Sequence, residues 1–179
     1  MLIVRALSAV ALAVLVASPT LGFDTNEFGF GDNDLTRETM AGMGGVGTSL
    51  IPFSPGQIQA GFRVGDFQGD LLRKLRTAGI RIPGVRELLG DQFGTIYLRV
   101  NSTHDRLGQG APFSITIQLW QRANLRRTPQ RAVRAATWQH SVVGFGDVEY
   151  VRRETEYAID KFISAWHSVN PKEGLGSAE

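Results

Sequence analysis

Two runs of strict apolar–polar alternation, followed by one long amphipathic helical pattern, frame what this chain can become. In Thr95–Asn101, Ile96, Leu98 and Val100 point one way while Tyr97 and Arg99 point the other. In Phe113–Trp120, Phe113, Ile115, Ile117 and Leu119 oppose Ser114, Thr116, Gln118 and Trp120. Successive side chains of a strand leave opposite faces, so the pattern predicts a sheet with one buried face and one more polar face. A third run, Arg131–Val143, is compatible with a strand but less regular. From about Asp147 to Ser168, Val148, Val151, Thr155, Ile159, Phe162, Ile163 and Trp166 recur at i, i+3 and i+4. That spacing predicts a helix whose apolar stripe covers the buried face of the sheet.

The flanking segments complete a simple order. Val46–Phe53 predicts a first strand closed by Pro52 and Pro55. A helix over about Asp66–Ala78 buries Phe67, Leu71, Leu72 and Leu75 and ends at Gly79, which suits a C-terminal cap. Ile80–Ile82 predicts a short strand, Arg86–Leu89 a helical turn, and residues 107–112 and 124–129 loops. Asp147 caps the long helix, and Asn170-Pro171 ends it. The resulting order, β-α-β-β-β-β-α, is that of an α+β two-layer sandwich: a mostly antiparallel sheet of 4–5 strands with two helices on one face. Residues 46–171 form this single domain and 172–179 a disordered polar tail.

The N-terminus reads as an address. Arg5 precedes the apolar run Ala6–Ala17, and small residues before Gly22 predict a signal peptide over 1–22 with cleavage after Gly22. The run is too short to span a bilayer comfortably, so the mature chain is not expected to cross a membrane. Cysteine is absent, which excludes a lipoprotein anchor and fits a bacterial periplasm or secretion better than a eukaryotic secreted domain. The formal net charge of +2 falls close to zero without the leader and gives no case for nucleic acid. Residues 23–45 follow as a flexible acidic, glycine-rich arm: Asp24, Glu27, Asp32, Asp34 and Glu38 face only Arg37.

Several motifs dissolve when their context is weighed. Gly42, Gly44 and Gly47 fit a dinucleotide-binding glycine pattern, but no strand precedes them and no helix opens on the last, so a glycine hinge is expected. His104, His140 and His167 lack a second ligand at metal-binding spacing, and no cofactor or metal is expected. No activating turn accompanies any serine, so no catalytic residue is nominated. Glu149–Arg153 and Arg152–Glu156 are i,i+4 pairs and predict a salt-bridged solvent face.

Two features nominate binding residues. Between Arg106 and Gly146 there is no acidic residue, and Arg122, Arg126, Arg127, Arg131 and Arg134 bracket one strand-to-strand turn. They form either a solvated hairpin tip or a site for an acidic partner, an anionic lipid headgroup or a glycan. The acidic arm, with Phe23, Phe28 and Phe30, is a candidate to order against that tip within the chain or on a neighbouring subunit. The second feature is aromatic: Tyr97, Trp120 and Trp138 fall on the sheet face away from the helices, beside Arg99 and Gln118. They are interface residues if that face is open and core residues if the glycine-rich segment folds over them.

The Leu71…Leu75…Ala78-Gly79-Ile80 turn, the alternating strands, Thr137-Trp138 and the ending Val169-Asn170-Pro171 resemble small uncharacterised bacterial exported (periplasmic) α+β proteins. The same order over residues 46–171 is similar to the N-terminal domain of TolB-like envelope proteins. The resemblance implies an envelope-associated binding domain and transfers no functional residue. The reading is therefore a non-enzymatic periplasmic or secreted protein that binds an envelope protein or like subunits of an assembly. Its alternative is a carrier or sensor of a small anionic or lipidic ligand, and a hydrolase stands third.

Overall fold

The computed structural model describes residues 31–103 and 110–171. The elements run α1 (Asp34–Glu38), β1 (Gly45–Leu50), α2 (Pro55–Gln59), α3 (Val64–Thr77), β2 (Phe93–Ser102), β3 (Ala111–Leu125), β4 (Thr128–Gly146) and α4 (Val148–Val169). The four strands lie in chain order in one open, mixed sheet. β1 pairs parallel with β2, while β2–β3 and β3–β4 are antiparallel. A parallel neighbour needs a crossover, and α3 supplies it. The fold is α+β, with α3 and α4 against one face of the sheet.

The alternation read in the sequence sets that face. Ile96, Leu98, Val100, Ile115, Ile117 and Leu119 are buried together with Phe67, Leu71 and Leu75 of α3 and Val151, Ile159 and Phe162 of α4. Each such aliphatic side chain removed from water contributes about 1.5–3 kcal/mol, which makes this layer the main source of stability. Phe53, Phe62 and Phe67 add a cluster at one end, with ring centroids 5.1–5.7 Å apart.

Polar groups lock the two long helices. Asp70, which falls inside the stripe of α3, is only 6 % exposed. It accepts from Arg152 Nε at 2.6 Å and from Arg73 Nη2 at 3.1 Å. Lys74 reaches Asp160 at 2.8 Å, and Arg73 reaches Glu156 at 3.3 Å. The expected i,i+4 pairing of Arg152 with Glu156 along α4 is thus replaced by pairing across the α3–α4 seam. Closely packed helices bring these charges together where water is partly excluded, which strengthens them over an exposed pair on one helix.

Two other expectations are corrected and one unpredicted element appears. Ile80–Ile82 is not a strand: Val46 donates to the Arg81 carbonyl at 2.9 Å, and Pro83 then ends the contact. Residues 55–59 form the helix α2, where Ser54 and Gln57 make a reciprocal capping box and Pro55 opens the first turn. Residues 31–44, expected within the flexible arm, are built into the body. Asn33 and Thr36 cap α1 reciprocally, α1 packs against α4 and β4, and Met40 is fully buried. Asn170 then fastens this segment to the end of α4, accepting from Gly42 N–H at 2.8 Å and donating to the Met40 carbonyl at 2.9 Å. Phe23, Phe28 and Phe30 lie outside the described residues, as do the proposed signal peptide and tail. No helix among the described residues is long and apolar enough to cross a membrane.

Candidate functional site

The face of the sheet turned away from α3 and α4 carries a trough of about 430 Å³. Its centre is the pair Tyr97 and Trp120, half-buried, with ring centroids 5.8 Å apart in an edge-to-face arrangement. Strand pairing explains the placement, since Trp120 lies opposite Thr95 and Tyr97 opposite Gln118, which makes the two rings diagonal neighbours. The Trp120 indole donates to Gln118 Oε1 at 3.1 Å, and Gln118 Nε2 donates to Gln139 Oε1 at 3.0 Å. This chain of amides fixes the indole plane.

A guanidinium stands at each end of the trough. Arg99 lies two residues beyond Tyr97 on β2 and has no ion-pair partner among the described residues. Arg134 reaches in from β4 and donates from Nη2 to Thr95 Oγ1 at 2.8 Å. One donated bond leaves most of its five N–H donors available. Ile51, just past β1, adds apolar wall, and Asn101 and Thr116 add polar wall. Among the described residues, no carboxylate lines the trough. On the neighbouring strand β1, the Leu88 side chain sits over Gly47, where an added Cβ would come within 2.8 Å of it.

The structure separates residues that the sequence groups together. Tyr97 and Trp120 share the open face, with Arg99 and Gln118 beside them. Trp138 does not join them; it is 1 % exposed on the helix side, its ring 5.2 Å from that of Phe162. The reason is a bulge: Trp120 pairs with Ala136 and Leu119 with Trp138, so Thr137 is extra and reverses the facing beyond it. The Trp138 indole donates to Asp32 Oδ1 at 2.9 Å, and Arg37 Nε donates to the same oxygen at 2.6 Å.

The five hairpin arginines also divide. Arg122 is neutralised by Asp91 at 2.9 Å, and Arg134 belongs to the trough. Arg126 and Arg127 form the turn itself, and Arg131 lies on the exposed start of β4. These three have no ion pair among the described residues.

His140 serves packing, and His104 lies outside the described residues. His140 is half-buried beside Tyr157, with ring centroids 6.4 Å apart. Burial pushes its imidazole below the ordinary range while nearby Asp32 pulls the other way, which leaves it neutral at pH 7. Among the described residues, no group of three His, Cys, Asp or Glu side chains converges as a metal site. No protein-family model matches the chain, and no curated protein matches its sequence.

Proposed function

We propose that this protein is a non-enzymatic binding module of the bacterial envelope or exterior, exported by its N-terminal signal, that engages another envelope protein through the open face of its sheet. The observation that carries the reading is the trough: two half-exposed aromatic rings, the Trp120 indole fixed by an amide network, flanked by guanidinium groups. Aromatic side chains with arginine are the residues that concentrate binding energy at protein interfaces. The resemblance of the alternating strands and the final helix to TolB-like envelope domains supports the same reading. A carrier or sensor of a small anionic ligand is the second reading, favoured by a trough volume within the range of ligand sites. The trough lies open along a sheet face, which suits a partner surface better than a sequestered small molecule.

The test is photo-crosslinking in the native host. A benzophenone amino acid at Gln118, in the trough, should yield a discrete adduct with a second protein. The same group at Gln68, exposed on α3, should not. Equal adducts from both positions, or none from Gln118, would remove the reading.

A further inference from the structure

We propose that the trough docks an extended acidic segment of the partner, one that presents an apolar side chain between two carboxylates at positions i−2 and i+2. This rests on the open face being the interaction surface. The argument begins with the spacing of the cations. Arg134 is held at Thr95 by its 2.8 Å bond, and Arg99 lies four residues further along β2. At about 3.3 Å per strand residue the two positions are about 13 Å apart. An extended peptide travels the same distance in four residues, and its residues i−2, i and i+2 all face the same way. A carboxylate at each end then meets a guanidinium, and the side chain between them meets the edge-to-face pair Tyr97 and Trp120.

Charge selects among occupants. Among the described residues the lining contains two arginines and no carboxylate, while Arg122 beside Arg134 already has Asp91. An anionic segment is therefore the complementary partner, and the planar guanidinium favours carboxylate bidentately. A fatty acid or single-headed lipid would satisfy one end of the trough and leave the other guanidinium facing hydrocarbon. The cation–aromatic–cation order fits a ligand charged at both ends. Gln118, Asn101 and Thr116 add hydrogen-bonding groups that suit a peptide backbone lying across the face.

The experiment uses Trp120 as its own reporter. The chain has three tryptophans, and Trp138 and Trp166 are buried on the helix side. Two capped heptapeptides of identical composition serve as probes, Gly-Glu-Ser-Phe-Ser-Glu-Gly and Gly-Ser-Glu-Phe-Glu-Ser-Gly. The first should shift Trp120 emission and bind more tightly than the second, with affinity falling as salt is added. Arg99→Gln and Arg134→Gln should each weaken the first peptide about fivefold, the upper range for an exposed ion pair. Together they should abolish the preference between the peptides. Circular dichroism checks that these surface variants remain folded. Equal binding of the two peptides, or affinity unchanged in the double variant, overturns the proposal. A decanoate titration that moves Trp120 when neither peptide does also overturns it and assigns the trough to a lipid. If crosslinking from Gln118 still captures a protein in either case, the interaction surface stands and only the acidic spacing is lost.

Discussion

Replacing Asp32 should loosen the whole N-terminal edge of the fold, and the size of the effect follows from its bonds. Trp138 is 1 % exposed, and its indole N–H donates to Asp32 Oδ1 at 2.9 Å. Asp32→Ala strands that buried donor, at about 1–3 kcal/mol. The Arg37 pair adds no more than about 1 kcal/mol, because the arginine side chain is 33 % exposed. The expected loss of about 1–4 kcal/mol corresponds to a drop of about 2–16 °C in melting temperature for a chain of this size. Asp32→Asn keeps an oxygen for the indole and loses only the charge, so it should recover more than half of the deficit. Urea unfolding followed by circular dichroism, with two-state fits of both variants, measures this. An unchanged midpoint in Asp32→Ala would refute the reasoning. A variant Asn as unstable as Ala would place the energy in the charge and refute the role given to the indole. Acid provides a further check. Burial alone would raise the Asp32 carboxyl, but Arg37 and the Trp138 N–H outweigh it and hold it below the ordinary range. A carboxyl lower in the folded than in the unfolded state stabilises fully above the unfolded value, near 3.9, and loses that effect as pH falls through the folded value. The gap between wild type and Asp32→Ala should therefore narrow below about pH 4, toward the gap between Asp32→Asn and Asp32→Ala, because a protonated carboxyl still accepts from the indole.

Phe162→Ala removes a fully buried ring that touches Trp138 and Trp166, and should cost about 3–5 kcal/mol in chemical denaturation. Gly65→Ala and Gly69→Ala, in α3 with nothing within 4 Å of the added methyl, should each raise stability by about 0.5–1 kcal/mol by the same measurement. Asp70→Asn should cost about 1–2 kcal/mol, discounted because Arg152 is 35 % exposed. Arg152 followed by Arg73 holds the Asp70 carboxyl below its ordinary range, opposed by burial. The penalty should thus be complete above about pH 4 and vanish in stronger acid, read from melting curves at stepped pH.

Alternation was a strong guide where a strand kept its period. It placed Ile96, Leu98, Ile115, Ile117 and Leu119 in the core and Tyr97 and Trp120 on the open face, and the helical stripe placed Phe162 and Trp166. It failed at Trp138 because one inserted residue, Thr137, changes which face follows, and a bulge leaves no trace in hydrophobic spacing. The short helix α2 went unread: its one local signal is the capping pair Ser54 and Gln57, and five residues are too few for periodicity. Asp32 and Asp70 were not legible as anchors. Their partners Trp138 and Arg152 lie 106 and 82 residues away, so local charge rules assigned one to a mobile arm and left Arg152 to Glu156. The trough was half legible for the same reason: Tyr97, Trp120 and Arg99 share one face by period, but Arg134 enters by a contact across the sheet.

The side chain of Asn170 gives the fold an unusual mechanical property. It grips the backbone at Met40 and Gly42 with two hydrogen bonds across 130 and 128 residues of chain. Both ends of the folded body therefore leave from the same corner. Traction applied between those ends would load this amide from the C-terminal side and the Asp32–Trp138 bond from the N-terminal side before any strand is sheared. The sheet and its trough would stay shielded from a pull until these two fastenings gave way, so an anchor at one end and a load at the other would meet a release point set by Asn170 and Asp32.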